Sequence, residues 1–528
     1  MAQAAGRRAG LSRFASGLIG TLLLAASGLF TGDVQAQGAD GPRFAVSGYT
    51  VEGDNPLSAS ATQGLLTPYT GDAVSIDRLQ AAAAALESAI RAQGYSFMRV
   101  VIPPQDAKGV ITLRVLAFRL GTVNIAGNQR FDRANLLHSL PTLRPGESPN
   151  LREIARNQAQ VNDHPAKQVA VTIQQGQAPD TVDAAVKVED GDPLQFFATL
   201  SNSGTSSSGM TRLGVGVSHT NLFNRDHQVT ATYTTSPEQA SNIQQYGFHY
   251  RAPFYALGGT LAAYYTFSDS NSGTVAQFFQ VSGRGEFYGL RWTQRFAPIG
   301  AYSHLAEAGI EERFFDNNVT FNGVPISTDV RSRPLLLRYE GRFDGAGYVA
   351  RGALELAHNL SGSGANNTAS YVANRAGATA DWQAWRYSVD GSRALGAWVA
   401  SARLRGQAAD DALIPGEQFG IGGASLVRGL EEREGTGDRG YVASAELLTP
   451  PLTEGLRGLV FVDTGEARLR AAGGAAGAVQ HATSAGVGVR WQWRKRLSLS
   501  ADWAYVLDGT GSTNKHDNRV HAALSLRF

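Results

Sequence analysis

The sequence predicts an all-β transmembrane barrel preceded by a soluble, mixed α/β region. Three observations carry this expectation. The chain's end alternates strictly, with Val520, Ala522, Leu524, Leu526 and Phe528 on one face and His521, Ala523, Ser525 and Arg527 on the other. That is a period-2 strand with one oily side, and it ends the chain on an aromatic. The same alternation recurs from Pro193 onward, as membrane barrels with lipid-facing and lumen-facing residues require. Beyond residue 36 there is no apolar run of about 18 residues, so a chain that spans a membrane must do so as a closed barrel.

The N-terminal segment reads as a secretory signal. Arg7, Arg8 and Arg13 form a basic region, and Phe14 to Phe30 is a short apolar stretch. Val34-Gln35-Ala36 is a small-residue cleavage site, with Gln37 as the expected mature start. The rival reading, a membrane anchor, is opposed by the shortness of the apolar stretch and the quality of the cleavage site. Arg7-Arg8 lacks the flanking context of a twin-arginine signal. Residues 1–36 are therefore expected to be removed.

Residues 44–190 read as soluble. Phe44–Val51 reads as a strand. Ile76, Leu79, Ala83, Leu86 and Ile90 fall at three- and four-residue spacings, so Ile76–Gln93 reads as a helix that Gly94 ends. The Ala81–Ala85 run supplies helix propensity rather than a functional signal. Phe97–Ile102 and Val110–Phe118 follow as strands. The order then repeats: strand Gly121–Ala126, helices Phe131–Leu140 and Leu151–Asp163, strands Gln168–Gln174 and Thr181–Val188. The expectation is two strand–helix–helix–strand–strand units of about 70 residues each, at 44–118 and 119–190.

From Pro193 onward the helical period vanishes. Val229, Ala231 and Tyr233 alternate with Thr230 and Thr232. Val487, Val489, Trp491 and Trp493 alternate with Gly488, Arg490 and Gln492. Leu497, Leu499, Ala501, Trp503, Tyr505 and Leu507 alternate with Ser498, Ser500, Asp502 and Ala504. The second face is repeatedly Gly, Ser, Thr or charged, as a wet lumen requires. A soluble β-sandwich shows similar alternation. The secretory signal and the aromatics Trp491, Trp493, Trp503 and Tyr505, which resemble interfacial girdles, favour the membrane. At about 21 residues per strand with its connection, residues 193–528 hold about 16 antiparallel strands, or 17 if Ala276–Phe296 is not one strand.

Composition narrows the function. The formal net charge of +2 implies no strong electrostatic attraction to nucleic acid, and charged residues make up only 17%. There is no cysteine, which suits passage through an oxidising periplasm. The ten histidines are scattered, with no zinc-helix spacing, so no metal or cofactor is expected. No phosphate-binding glycine loop and no Gly-x-Ser-x-Gly elbow occurs. The expectation is a protein that is not an enzyme, although barrel hydrolases assemble their residues from distant strands.

Two long segments interrupt the strands, Phe315–Arg331 and Asp410–Gly440. Loops of about 30 residues between short hairpins are usually functional or disordered. The second carries Phe419, Ile421, Leu426 and Val427, so it should pack against something, and the place available is the lumen. Arg428 would then need an acidic partner. Asp463, in Leu459-Val460-Phe461-Val462-Asp463-Thr464-Gly465, is the best candidate for a bidentate pair. The bland alternative makes Arg428 an exposed loop arginine and Asp463 a turn residue.

The stretch Glu417-Gln418-Phe419-Gly420-Ile421-Gly422-Gly423-Ala424-Ser425-Leu426-Val427-Arg428-Gly429-Leu430 resembles the lumen-loop signature of the two-partner-secretion (TpsB) transporters, within the POTRA-containing translocase superfamily. That signature has Val-Arg-Gly followed by Tyr or Phe; here the last position is Leu430. Phe461-Val462-Asp463-Thr464-Gly465 is similar to the family's barrel-wall motif, whose Asp pairs with the loop Arg. The two repeated units resemble POTRA domains: Phe97–Val115 with Pro103-Pro104-Gln105 looks like the first, and Gly121–Phe131 with Gly127-Asn128 like the start of the second. The resemblance implies that Glu417, Phe419, Gly422, Gly423, Val427, Arg428 and Gly429 hold the loop, that Phe461, Asp463 and Gly465 receive it, and that Phe528 is the C-terminal assembly signal. Many relatives carry an N-terminal helix that plugs the barrel. Only Gln37–Arg43 precede the first unit here, so the pore is expected to lack that plug, or to be closed by the lumen loop alone.

The function so implied is an outer-membrane translocase of a Gram-negative bacterium, with its POTRA domains in the periplasm. It captures an unfolded secretory partner at a sheet edge and exports it without ATP. The implied partners are a large exoprotein of adhesin or haemolysin type, outer-membrane lipid, and the barrel-assembly machinery during biogenesis. Two alternatives stand beside it. An assembly factor for other barrels would carry more POTRA repeats, and a passive porin has no use for the periplasmic part.

Overall fold

A computed structural model describes residues 42–528, apart from 107–108, 206–207, 241–242, 269–272, 276–278, 282–284, 317–319, 322–323, 326–327, 363, 471–475 and 495. The expected signal segment, 1–36, lies outside the described residues.

The first α/β unit contains β1 (Arg43–Gly53), α1 (Ala59–Leu66), β2 (Gly71–Ser75), α2 (Ile76–Ala92), β3 (Met98–Val101) and β4 (Gly109–Ala117). Its sheet runs β2-β1-β4-β3, with β1 parallel to β4. Ser75 starts α2 by accepting the Arg78 N–H at 3.3 Å, and Gly94, at φ +104°, follows its end. The buried face of α2 (Leu79, Ala82, Ala83, Leu86, Ile90) packs on Met98, Leu113 and Val115. Sequence periodicity does not place α1 or β2. The helix is two turns long and the strand buries only Val74, so neither shows enough repeats to read.

The second unit contains β5 (Arg119–Ala126), α3 (Arg133–Ser139), α4 (Leu151–Val161), β6 (Lys167–Gln175) and β7 (Thr181–Asp190), with sheet order β5-β7-β6. Asp132 caps α3 and Asn150 caps α4. The core gathers Leu120, Phe131, Leu136, Ile154, Val161, Val169 and Val186.

Sixteen antiparallel strands among the described residues then close a barrel, from strand 1 (Leu194–Ser201) to strand 16 (Asn518–Arg527). Val330–Ser332 and Pro334–Gly345 count as one strand, because both pair with Tyr302–Phe315 across a break at Arg333. The seam joins strand 16 to strand 1 over Ala523–Arg527 and Phe197–Ser201. Exposed Phe528 extends it through backbone bonds to Phe196 at 2.8 and 3.3 Å.

Side chains obey the alternation in the sense a membrane demands. In strand 13 (Leu456–Arg470), Val460 and Val462 are 51% and 46% exposed, whereas Phe461 and Asp463 between and beside them are buried. An exposed oily face with a buried polar one is the inverse of a soluble sandwich. Part of the lumen face departs from the expected polar character. Val442, Ala467, Ala482 and Val506 point inward yet are apolar, because a loop covers them.

Helices do not vanish after Pro193. Thr368–Asn374 forms one, capped by Asn367, within the segment joining strands 9 (Tyr348–Asn359) and 10 (Gln383–Leu395). Tyr371 and Trp382 from this segment are fully buried with Phe315, Val330, Leu413 and Ile414. Seven residues are too few to show a helical period against a strand-rich background.

The second α/β unit is bolted to the barrel's near turns by a buried polar hub. Lys167 Nζ lies 2.6 Å from Asp226 Oδ2, and neither side chain is exposed. Asn135 Nδ2 donates to Asp226 Oδ1 at 2.8 Å, and Tyr255 Oη donates to Oδ2 at 2.6 Å. Gln160 Nε2 donates to the Gly259 carbonyl at 2.7 Å. Burial pushes the Asp226 carboxyl up, but Lys167 beside it prevails and holds it below the ordinary value.

His164 sits in the same interface, 3% exposed, with Nε2 2.7 Å from the Thr220 carbonyl. Burial pulls its pKa down to about 4 from 6.5. The unfolded form therefore takes up a proton first as pH falls. The stabilising contribution is complete above pH 6.5 and is lost between 6.5 and about 4, about 3 kcal/mol in total. Protease protection of the second unit is expected to fall across that window, and His164→Gln is expected to flatten the dependence.

Candidate functional site

Strand 1 leaves the second α/β unit, so odd-numbered strands run away from it. Strand 11 (Trp398–Ala409) therefore ends at the far rim, and the segment 410–438 enters the lumen from outside before strand 12 (Arg439–Leu448) begins. Inside, it makes a short 3-10 turn at Pro415–Glu417 and a two-residue ladder between Phe419–Gly420 and Thr436–Gly437. Its tip buries Ile421, Val427 and Leu430 against Val442, Ala467, Ala482 and Val506. Leu430, which stands where the family signature has an aromatic, is fully buried in this cluster.

Arg428 is the centre of the arrangement. It is 3% exposed, and Asp463 is fully buried. Nε donates to Asp463 Oδ2 at 2.7 Å and Nη2 to Oδ1 at 2.8 Å, a fork-to-fork pair. The Arg428 N–H also donates to Asp463 Oδ2, at 3.2 Å. Ser444 Oγ donates to Asp463 Oδ1 at 2.6 Å. Nη1 turns to Glu446, 2.8 Å away, with Asp502 farther at 3.5 Å. The guanidinium lies 3.4 Å from the ring centroid of Phe461, which gives it an aromatic floor.

The neighbouring glycines are required by space. Gly429 has φ +101°, and a Cβ there would come within 2.9 Å of Val506 Cγ2. Its N–H donates to His521 Nε2 at 2.9 Å, so that nitrogen is an unprotonated acceptor. At Gly465 a Cβ would meet Val442 and Val427 at 2.9 and 3.0 Å, so the wall is thinned where the loop presses on it.

Three further carboxylates tie the loop to the barrel. Glu417, buried, accepts from Arg313 Nη1 at 2.5 Å, Ser332 Oγ at 2.6 Å and Arg386 Nη2 at 3.2 Å. Glu434 accepts from the Thr513 N–H and Oγ1 at 2.7 Å each. Asp438 accepts from Arg375 Nη2 at 2.9 Å, from the Leu413 N–H at 2.8 Å and from the Arg470 N–H at 2.6 Å.

The structure thus brings Val427, Arg428, Gly429, Phe461, Asp463 and Gly465 into one assembly, while Glu417 sits in a separate cluster with Arg313, Ser332 and Arg386. Phe419 packs against the loop cluster. Gly422 and Gly423 act through the backbone, their N–H groups donating to Glu434 O at 3.0 Å and Val427 O at 3.3 Å. Phe528 lies apart, at the seam. Sequence reasoning misses Glu446, Asp502, His521, Arg313 and Asp438. The first three carry a usable signal, since each sits at lumen parity in its strand beside an oily neighbour.

The family model for haemolysin secretion/activation proteins of the ShlB/FhaC/HecB type matches residues 181–491. The chain belongs to that family. A ShlB-type POTRA domain matches 44–117. Among characterised members, the outer membrane transporter CdiB-2 of Burkholderia pseudomallei is 24% identical over 271 residues, 50% of this chain and 45% of that one. CdiB of Dickeya dadantii is 31% identical over 132 residues, 25% of this chain and 23% of its own. The chain thus spans less than half the length of these relatives. The solved structure of CdiB from Escherichia coli matches with a TM-score of 0.71 at 18% identity, over 93% of this chain and 92% of the other. CdiB from Acinetobacter baumannii gives 0.68 at 17%, over 92% and 90%. These two likenesses show a shared fold. As a family member with this barrel, the chain belongs in the outer membrane of the Gram-negative envelope.

Proposed function

We propose that this transporter exports one large secretory partner, of adhesin or haemolysin type, taken up unfolded from the periplasm and passed through the barrel without ATP. The observation that carries this is the pairing of two periplasmic α/β units with a lumen that a clamped loop occupies. A passive porin needs neither. Arg428, Val427 and Gly429, with Asp463, Phe461 and Gly465, would hold the loop in its working position.

Capture would occur on the first unit. Its edge strand β3 borders a groove of about 590 Å³ against α2, lined by Ala83, Glu87, Val100 and Val101. On that edge the Val100 N–H is taken by Glu87 Oε2 at 3.1 Å and the Met98 N–H by the Tyr95 carbonyl at 3.4 Å, and Val101 is exposed. An extended segment could add to that edge through main-chain bonds. The second unit has a matching groove of about 620 Å³ between α4 and β6, lined by Ile154, Gln158, Val171 and Ile173, and its edge is occupied at two positions. Asn162 bonds both the N–H and the carbonyl of Val169, at 2.7 and 3.0 Å, and Gln158 takes the Val171 N–H at 2.9 Å.

The test compares culture supernatants of wild-type and deletion cells by mass spectrometry. Loss of one large protein with unchanged outer-membrane composition is the expected result, and it names the partner. Matching supernatants with several outer-membrane proteins depleted together would replace this reading with the assembly-factor one.

A further inference from the structure

Strands 8 to 11 face the part of the lumen that the loop leaves open. Two adjoining cavities lie there, of about 390 and 510 Å³, with Arg351, Asp390 and Arg405 lining both. Arg338 and Glu340 line one and Arg403 the other. Glu446 also lines the first cavity and Glu311, Glu355, Glu417 and Glu432 the second. But Glu446 is paired with Arg428, Glu355 with Arg386, and Glu311 and Glu417 with Arg313, so Glu340 and Asp390 are the carboxylates paired with these four guanidinium groups.

The sharing is uneven. Glu340 serves both Arg338 at 2.9 Å and Arg351 at 3.4 Å, while Arg403 reaches Asp390 only at 3.6 Å. Arg405 has no carboxylate within ion-pair range among the described residues. Its ladder neighbours are Ser388 and Val442, and its buried Nε has no hydrogen-bond partner. Arg313, on the loop-facing side, shows the contrast, held by Glu311 and Glu417 at 2.7 and 2.5 Å. A purely structural ion-pair lattice would place an acid beside Arg405, as it does beside Arg313. Under-compensated guanidinium groups in a confined lumen draw in counter-charge, and the carboxylate fits their fork bidentately.

We infer that Arg338, Arg351, Arg403 and Arg405 form a carboxylate-binding track in the lumen wall, which holds acidic side chains of an extended polypeptide in transit. The inference rests on the transport reading above and adds a chemical preference to it. Rings of like charge set selectivity in pores by the same means.

The test is fluorescence anisotropy on the purified full chain in detergent, with a labelled oligo-glutamate peptide as probe and oligo-lysine and free glutamate as comparators. Oligo-glutamate is expected to bind and oligo-lysine not, with affinity falling as salt rises. The double variant Arg403→Gln, Arg405→Gln is expected to weaken binding about tenfold. Glu340→Gln, which frees two arginines, is expected to strengthen it, and this gain cannot come from misfolding. Binding that is no tighter than that of oligo-lysine, or that survives the double variant, overturns the track. Free glutamate competing as well as the peptide at equal carboxylate concentration overturns it too, because the site would then serve small anions. A partner still exported by cells whose purified transporter ignores oligo-glutamate removes the track and leaves the transport reading standing.

Discussion

Cells carrying Arg428→Ala are expected to export no partner while keeping a normal amount of the transporter in the outer membrane. The substitution leaves Asp463 buried with only Ser444 and the residue-428 N–H as donors. Breaking one partner from a buried pair costs about 3–5 kcal/mol. That penalty falls on the seating of the loop, because the barrel ladder on either side of Asp463 makes no use of the guanidinium. Arg428→Lys is expected to fail nearly as badly, since an ammonium cannot reproduce the fork to Asp463, reach Glu446 and stack on Phe461 together. The double variant Arg428→Ala, Asp463→Ala should cost less than the two singles combined, as expected of residues in contact. Export assays on the four strains, normalised to transporter recovered from outer membranes, check all of this. Normal export by the Arg428→Ala strain would sink the role assigned to the arginine.

The second large effect is expected at the periplasmic hub. Lys167→Ala strands Asp226 in a site with no exposure, and the same 3–5 kcal/mol applies, about the strength of a modest domain interface. The second α/β unit should swing free of the barrel. Spin labels on exposed Glu189 and on Leu257 in a barrel turn would report this as one narrow distance broadening into many. An unchanged distribution would show that backbone contacts alone hold the unit. Asp226→Ala on top of Lys167→Ala should restore part of the order by removing the orphaned charge.

How much of this is legible in sequence depends on distance along the chain. The barrel reads easily because alternation is local and repeats. Arg428 reads because its flanking residues carry a signature, and Asp463 because strand parity turns it inward. Glu446, Asp502 and His521 do not read as partners. Which lumen residues meet depends on the stagger of neighbouring strands, and one strand's pattern does not disclose it. Lys167 looks like an ordinary strand lysine, since Asp226 belongs to a turn in another domain. The helix Thr368–Asn374 and the strand β2 escape because each is too short to show a period.

The loop's seats have a covalent order. Asp463, Asp502 and His521 all lie C-terminal to Arg428, and His521 belongs to the last strand. Gly429 therefore cannot reach its acceptor until strand 16 is in place, and strand 16 is also the one that closes the seam onto strand 1. Loop tip and seam share one strand, so a change that peels that strand away loosens both.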